Sequence, residues 1–377
     1  MRYKFLTLIA IFVLGTTLIG CNNEITTTQK DDNNKLKVYT TLYPLADFTK
    51  KIGGDHVDVE SIIPPGADAH TFEPTSKQMI DIAEADAFIY NGLGMETYAE
   101  KIAEALENED TIMVEAAHGI EVVQHTHDHH THEDEHHESD EHEHEAEHHE
   151  ADEHAHEEEH HEADEHAHEE EHHESDEHAH EEEHHESDEH AHEDKANEHE
   201  HHHRDVDPHV WLDPIRAIIL AQNIKDALIE LKPEAKEEFE NNFITLKAEL
   251  EKLDEEFHQL VDAKKNPEMI VSHAAYGYWE ESYGIHQIAV AGISPTDEPS
   301  QKDLANIIKL AKEKQIQYII FEQNVTPKVA EVIRKEINAE PLRLHNLSVL
   351  TEEDIQNGED YFSLMRKNIE TLDKVLH

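Results

Sequence analysis

The sequence contains a single cysteine and few basic residues. Cys21 stands alone among 377 residues, so the chain can form neither an internal disulfide nor a cluster of thiolate metal ligands. Lysine and arginine number 30 against 88 aspartates and glutamates, and the formal net charge is −58. Such a chain would be repelled by a phosphate backbone, which excludes nucleic acid as a partner. The charge instead suits a partner that is a cation.

Long hydrophobic runs are also scarce. Residues 5–13 form an apolar run behind two basic residues, but the run is too short for a membrane span and is typical of an export signal. Leu-Ile-Gly before Cys21 resembles a bacterial lipobox. We predict a lipoprotein signal peptide over residues 1–20, lipidation of Cys21 and a flexible tether over residues 21–35. The protein is then expected on the extracytoplasmic face of the cell membrane, held by a lipid anchor. A chance cysteine near a signal peptide is the alternative.

A histidine- and acid-rich tract extends from His125 to His203 and holds 29 of the 38 histidines. It repeats a unit of 12 residues that contains His-x-His and His-His pairs beside carboxylates. This composition cannot bury a core, so we expect disorder in the absence of metal. The imidazole pairs predict many weak sites for zinc, copper or nickel. A partly helical, metal-cross-linked form and an inert acidic spacer are the alternatives.

Outside the tract, short apolar strands alternate with helical segments. This order predicts an α/β fold with parallel sheets and helical crossovers. Residues 214–262 have apolar residues at helical spacing and predict a long connecting helix, which Pro233 either kinks or divides. The predicted strands cover residues 36–42, 57–63, 87–90 and 111–114 in the first half, and 268–272, 287–290, 318–322 and 341–346 in the second. We accordingly place an N-terminal lobe at 36–204, a ligand loop at 205–213, the connector at 214–262 and a C-terminal lobe at 267–377.

Three isolated histidines lie in ordered-looking segments. His70 ends Pro-Pro-Gly-Ala-Asp-Ala-His, His209 lies in Asp-Pro-His-Val-Trp-Leu-Asp-Pro, and His273 begins His-Ala-Ala-Tyr-Gly after a predicted strand. Each taken alone is more often a surface or capping residue. Ligands of parallel α/β sheets bind beyond the carboxyl ends of the strands, where His70 and His273 are expected. Three imidazoles are a usual protein complement for zinc, and nitrogen ligands disfavour manganese and calcium.

These motifs, in this order from residue 36 to the C-terminus, resemble the zinc-binding lipoproteins that serve ABC transporters. The resemblance implies two four-stranded (βα)4 lobes joined by a long rigid helix, with the metal site in the cleft between them. It implies that His70, His209 and His273 bind Zn²⁺, which passes to a membrane permease driven by a cytoplasmic ATPase. A monomer is expected. Matching segments also contain carboxylates that are candidates to accept hydrogen bonds from the ligand rings: Glu73, Asp213 and Glu298.

The chain departs from the family pattern at one position. Many relatives have an acidic fourth ligand after the last strand, whereas Ser348 occupies that place in Leu-His-Asn-Leu-Ser. The fourth ligand is then water, a tract histidine or a nearby carboxylate. Manganese-type relatives use acids at two of four positions, and His273 argues against that subgroup.

Three other functions stay open from the residues. The protein could be a surface adhesin or a metal-storage lipoprotein, a manganese carrier, or a zinc hydrolase with water as the fourth ligand. Outside the tract, the sequence lacks a zinc-hydrolase signature such as His-Glu-x-x-His. We therefore predict a binding protein and not an enzyme.

Overall fold

The structure is a computed structural model that describes residues 35–106, 109–124 and 206–376. The predictions for the signal peptide, for Cys21 and for the tract from His125 to His203 concern residues outside these ranges. The described chain stops at Gln124 and resumes at Val206, and these two residues pair in an antiparallel bridge.

The first lobe is built on a four-stranded parallel sheet. Its strands alternate with helices, because residues that favour the start of a helix follow the apolar strand segments. Pro44 lies at the start of the first helix, and Thr75 and Gln78 form a capping box at the start of the second. The elements are β1 (Leu36–Thr40), α1 (Tyr43–Gly53), β2 (Val57–Ser61), α2 (Ser76–Ala83), β3 (Ala87–Tyr90), α3 (Ala99–Ala105) and β4 (Ile112–Glu115). The sheet order is β2-β1-β3-β4, with all neighbours parallel.

The connector segment contains two helices, α4 (Pro214–Leu231) and α5 (Lys236–Asp262). They are separated by a single 3-10 turn, Pro233–Ala235, because proline starts a new helical segment more readily than it continues one. Helix α5 is the long one, and its apolar stripe packs on both lobes. Near its beginning Phe239 contacts the ring of His56, and near its end Phe257 contacts Trp279.

The second lobe repeats the architecture of the first. Its elements are β5 (Glu268–His273), α6 (Gly277–Tyr283), β6 (His286–Ala291), α7 (Gln301–Glu313), β7 (Tyr318–Glu322), α8 (Lys328–Ile337), β8 (Glu340–Leu344), α9 (Glu352–Asn357) and α10 (Tyr361–Val375). The sheet order is β6-β5-β7-β8, again parallel. Strand β5 is buried from Met269 onward, as expected for a central parallel strand covered on both faces.

The predicted α/β class is confirmed, with two four-stranded parallel lobes and a long helix. All eight predicted strands are present. No helix in the described ranges combines the length and the hydropathy that a membrane crossing requires.

Candidate metal centre

The structure brings the three predicted histidines together. Nε2 of His209 lies 3.2 Å from Nε2 of His70 and 3.4 Å from Nε2 of His273. Tetrahedral zinc with bonds of about 2.0–2.1 Å places two ligand nitrogens roughly 3.3–3.4 Å apart. Two of the three pairs therefore already have the separation that zinc ligands need. Within the described part of the chain, no other group of three His, Cys, Asp or Glu side chains has comparable spacing.

The three rings come from different parts of the fold. His70 lies in the loop that follows β2, and His273 is the last residue of β5. His209 precedes the 3-10 turn Val210–Leu212, directly before α4. Strand β5 pairs with β6 on one side and with β7 on the other, so His273 stands where the strand order reverses. The cluster therefore joins a loop of the first lobe to a strand end of the second.

The segment that carries His209 is held by side chains that donate hydrogen bonds to its carbonyl oxygens. Donors come from the first lobe, from α6 and from α10. They are Nδ2 of Asn91 to Pro208 (3.0 Å), Oη of Tyr278 to Asp207 (2.6 Å), Nε1 of Trp279 to Leu212 (2.7 Å) and Oη of Tyr361 to Trp211 (2.7 Å). Because these four hydrogen bonds are buried, they hold the backbone on both sides of His209 in place without a bound ligand.

Carboxylates orient two of the rings. Oδ1 of Asp207 accepts hydrogen bonds from Nδ1 of His209 at 2.7 Å and from its backbone N–H at 2.9 Å. This assigns the proton to Nδ1 and leaves the lone pair on Nε2, where a metal would bind. Nδ1 of His273 lies 2.6 Å from Oε1 of Glu322, a close polar contact whose angles fall outside hydrogen-bond geometry. Both histidines are 1% exposed.

His70 differs from the other two histidines. It is partly exposed, and within the described ranges no group is hydrogen-bonded to its Nδ1. Burial, followed by the nearby rings of His209 and His273, lowers the pKa of His70 well below its usual value. A lowered pKa keeps the ring neutral, which is the form that binds a metal.

The carboxylates named from the sequence as candidate acceptors for the ligand rings are not hydrogen-bonded to these rings in the structure. Asp213 caps α4, where it accepts a hydrogen bond from the backbone N–H of Arg216 at 2.8 Å, and Glu73 and Glu298 are exposed. The carboxylates beside the rings are Asp207 and Glu322. An Asp-x-His spacing is a signal that could have identified Asp207, because aspartate readily accepts from the backbone two residues on. Glu322 had no such signal, since it meets His273 only through the pairing of β5 with β7.

Ser348 is engaged within its own loop. Its Oγ donates to Oδ1 of Asn346 at 2.8 Å, and its backbone N–H donates to the same oxygen at 3.0 Å. The carbonyl of Asn346 in turn accepts from Nε1 of Trp211, two residues after His209. In the ranges that the structure describes, no carboxylate joins the group of the three histidines. The identity of a fourth ligand stays a prediction.

The chain is similar to known zinc-uptake and zinc-binding proteins. The family model described as "Zinc-uptake complex component A periplasmic" (ZnuA) matches residues 38–375. The zinc-binding lipoprotein AdcA of Streptococcus pneumoniae strain R6 is 30% identical over 375 residues, which cover 98% of this chain and 60% of AdcA. The high-affinity zinc uptake system protein ZnuA of Bacillus subtilis strain 168 is 30% identical over 366 residues, 96% of this chain and 95% of that protein.

A solved structure shows the same architecture. The Zn(II)-bound ZnuA-like domain of Streptococcus pneumoniae AdcA is 28% identical, with a TM-score of 0.62, and the match covers 91% of this chain and 99% of that domain. The chain thus spans only about 60% of the length of AdcA itself. Because the family match runs from β1 to the end of α10 and takes in both lobes, the chain belongs to the ZnuA family, component A of zinc-uptake complexes.

Proposed function

We propose that the protein captures Zn²⁺ outside the cytoplasm and delivers it to the membrane permease of an ABC transporter, whose cytoplasmic ATPase drives import. The observation that carries this proposal is the convergence of the Nε2 atoms of His70, His209 and His273 at zinc-ligand spacing. Zinc is the cargo of this site. The names of the relatives, a zinc-binding lipoprotein and a zinc uptake protein, support the same metal.

The ligand types favour zinc over manganese. Three imidazole nitrogens suit zinc, whereas manganese prefers oxygen ligands. The two nearest carboxylates, Asp207 and Glu322, face Nδ1 atoms and not the metal-facing Nε2 atoms. They can balance the charge of a dication without entering its coordination shell. Water, a carboxylate or a tract histidine would complete the fourth position near Ser348.

We propose a binding role and not catalysis. The family is described as an uptake component, and His209 and His273 are only 1% exposed, which leaves little access for a substrate beside the metal. A zinc-loaded sample should not hydrolyse ester or peptide substrates. Hydrolysis that disappears in a His209→Ala variant would contradict this part of the proposal.

The lipid anchor at Cys21 and the accessory role of the tract belong to the same proposal. The anchor would hold the protein, as a monomer, on the extracytoplasmic face of the membrane beside the permease. The tract would collect zinc at many weak sites, while the cleft holds one ion tightly. Because Gln124 and Val206 pair, a short linker can join them in place of the tract without separating the described ends.

The test is zinc stoichiometry and affinity, measured by competition with a chelator. Four proteins are compared: the mature chain, a chain lacking residues 125–203, and His209→Ala in each background. We expect one tight site per chain that survives removal of the tract and disappears with His209→Ala. Loss of the tight site on removing the tract alone would contradict the assignment to the cleft.

Transport and storage are separated by a growth assay. A strain that lacks the gene should grow poorly when zinc is limiting, and the tract-deleted chain should restore growth where the His209→Ala chain does not. Normal growth of the deletion strain in zinc-limited medium would favour storage or adhesion over import.

A further inference from the structure

His70 is the least supported of the three histidines. Asp207 and Glu322 contact the second ring nitrogens of His209 and His273, whereas no described residue is hydrogen-bonded to Nδ1 of His70. Ligand histidines usually need such a partner to fix the ring. The position of this ring therefore depends on its backbone, which belongs to the loop of residues 64–70, called here the His70 loop.

The His70 loop is attached to both lobes. In the first lobe Ala69 is 3% exposed and packs in the hydrophobic core. Toward the second lobe, the backbone N–H of Gly66 donates to the carbonyl of Leu350 at 2.8 Å, and Nδ2 of Asn324 donates to the carbonyl of Ala67 at 2.8 Å. Of these two bonds between the lobes, only the bond of Asn324 is made by a side chain.

Asn324 is well placed for this contact. It lies two residues beyond Glu322, so the end of β7 supports His273 through one side chain and the His70 loop through another. Oδ1 of Asn324 is buried and has no hydrogen-bond partner among the described residues, which leaves the bond to Ala67 as the polar contact that orients the amide. If the amide were rotated by 180°, Oδ1 of Asn324 would face the carbonyl oxygen of Ala67.

The loop packs Ala67 at the edge of the hydrophobic core and borders open space on the side of the second lobe. Asp68 of the loop and Val325, the residue after Asn324, both line a cavity of ≈ 380 Å³ between the lobes. The loop therefore has open space beside it where it faces the second lobe. The hydrogen bonds of Gly66 and Asn324 are the polar contacts that hold it there.

We propose that Asn324 is a positioning residue for zinc binding: its amide holds the His70 loop against the second lobe and thereby sets the rate at which zinc leaves the cleft. This inference rests on the proposed role of the three histidines in binding zinc. Because the contact restrains the loop that carries one of the three ligands, its loss should act mainly on dissociation and much less on association.

The test compares zinc dissociation in full-length mature proteins. Zinc-loaded protein is mixed with excess chelator in a stopped-flow instrument, and the slow phase that is absent from a His209→Ala protein is assigned to the cleft. Asn324→Asp keeps the shape of the side chain but replaces the donor by a carboxylate facing the carbonyl of Ala67. We expect its slow phase to be roughly 10-fold faster, the change that corresponds to loss of one hydrogen bond. Hydrogen exchange in residues 64–70 of the zinc-loaded protein should rise as well.

Asn242→Asp is the matched control. Nδ2 of Asn242 also donates a single bond to a carbonyl, that of Ile52, at 2.9 Å, but away from the cleft. This variant should show the wild-type dissociation rate. Asn324→Ala, which removes the donor without adding charge, provides a second test if the aspartate variant folds poorly, and thermal unfolding without zinc verifies folding in each.

The outcomes are distinct. A wild-type slow phase with an unchanged rate in both Asn324 variants would overturn this inference alone. Equal acceleration in Asn242→Asp would also overturn it, because the effect would then reflect general loosening. No slow phase in the wild type would overturn the proposed function together with the inference.

Discussion

Oδ1 of Asp207 accepts two hydrogen bonds from His209, one from the ring at 2.7 Å and one from the backbone N–H at 2.9 Å. A single oxygen therefore fixes both the tautomer of the ring and the turn of the chain that presents it. The other oxygen of Asp207 faces Gly277 of α6. The carboxylate that orients His209 therefore lies against the second lobe.

Asp207→Asn should weaken zinc binding by roughly 10- to 100-fold, because the amide is uncharged and can present its N–H groups to a ring that must donate. Chelator competition measures the change. Asp254→Asn is the control, since Asp254 also accepts a hydrogen bond, from Oη of Tyr283 at 2.8 Å, at a site away from the cleft. Equal affinities in Asp207→Asn and the wild type would show that the carboxylate does not tune the metal site.

Gly277→Ala should lower zinc affinity, by about 10-fold or more, through displacement of Asp207. An added Cβ at Gly277 would lie 2.6 Å from Oδ2 of Asp207, which is too close for the two atoms to stay in place. Gly284→Ala is the matched control in the same helix region. Gly284 has φ +71 with nothing within 4 Å of the added Cβ, so alanine there should cost about 1–2 kcal/mol of stability without changing affinity. If Gly277→Ala lowered stability but left zinc affinity unchanged, Gly277 would matter only for folding.

Ser348→Ala should leave zinc affinity unchanged and cost about 1 kcal/mol of stability. The reason is that the hydroxyl of Ser348 donates to Asn346 and not toward the histidines. Affinity and chemical denaturation are measured on the same samples. A marked fall in affinity would indicate that the serine oxygen reaches the metal and supplies the fourth ligand.

The stability of the zinc-free protein should depend on the protonation of His70. Its folded-state pKa is lowered well below 6.5 by burial and by the two neighbouring rings, whereas the unfolded chain binds a proton near 6.5. The unfolded state therefore binds more protons as the pH falls below 6.5, and the folded state loses stability in that range until its own pKa is reached. Above 6.5 this contribution is fully present.

Comparison with His70→Gln tests this pH dependence. Unfolding free energies of the zinc-free proteins are measured from pH 7.5 to pH 5, and the wild type should lose more stability on acidification than the variant. The C2 proton of His70 should also titrate below the usual range in an NMR experiment. Parallel stability curves would mean that burial does not perturb His70.

The sequence by itself determined the elements of this protein and the identity of the clustered histidines. All eight strands were predictable because apolar runs bounded by proline, glycine and capping residues are local properties of the chain. His70, His209 and His273 stood out because each lies in or directly before a loop that contains proline or glycine, apart from the tract. Their motifs also carried the family resemblance, which supplied the two-lobed fold.

Tertiary structure alone decided what surrounds those histidines. Glu322 meets His273 because β7 lies beside β5 in the sheet, although 49 positions separate the two residues in the sequence. Asn324 reaches Ala67 from the other lobe, across 257 positions. Asp213, which the sequence offered as a candidate partner of a ligand ring, is instead a helix cap. Local sequence patterns indicate burial and turns. The partner of a buried polar group depends instead on which strand ends and loops the fold brings together, and a local pattern does not contain this information.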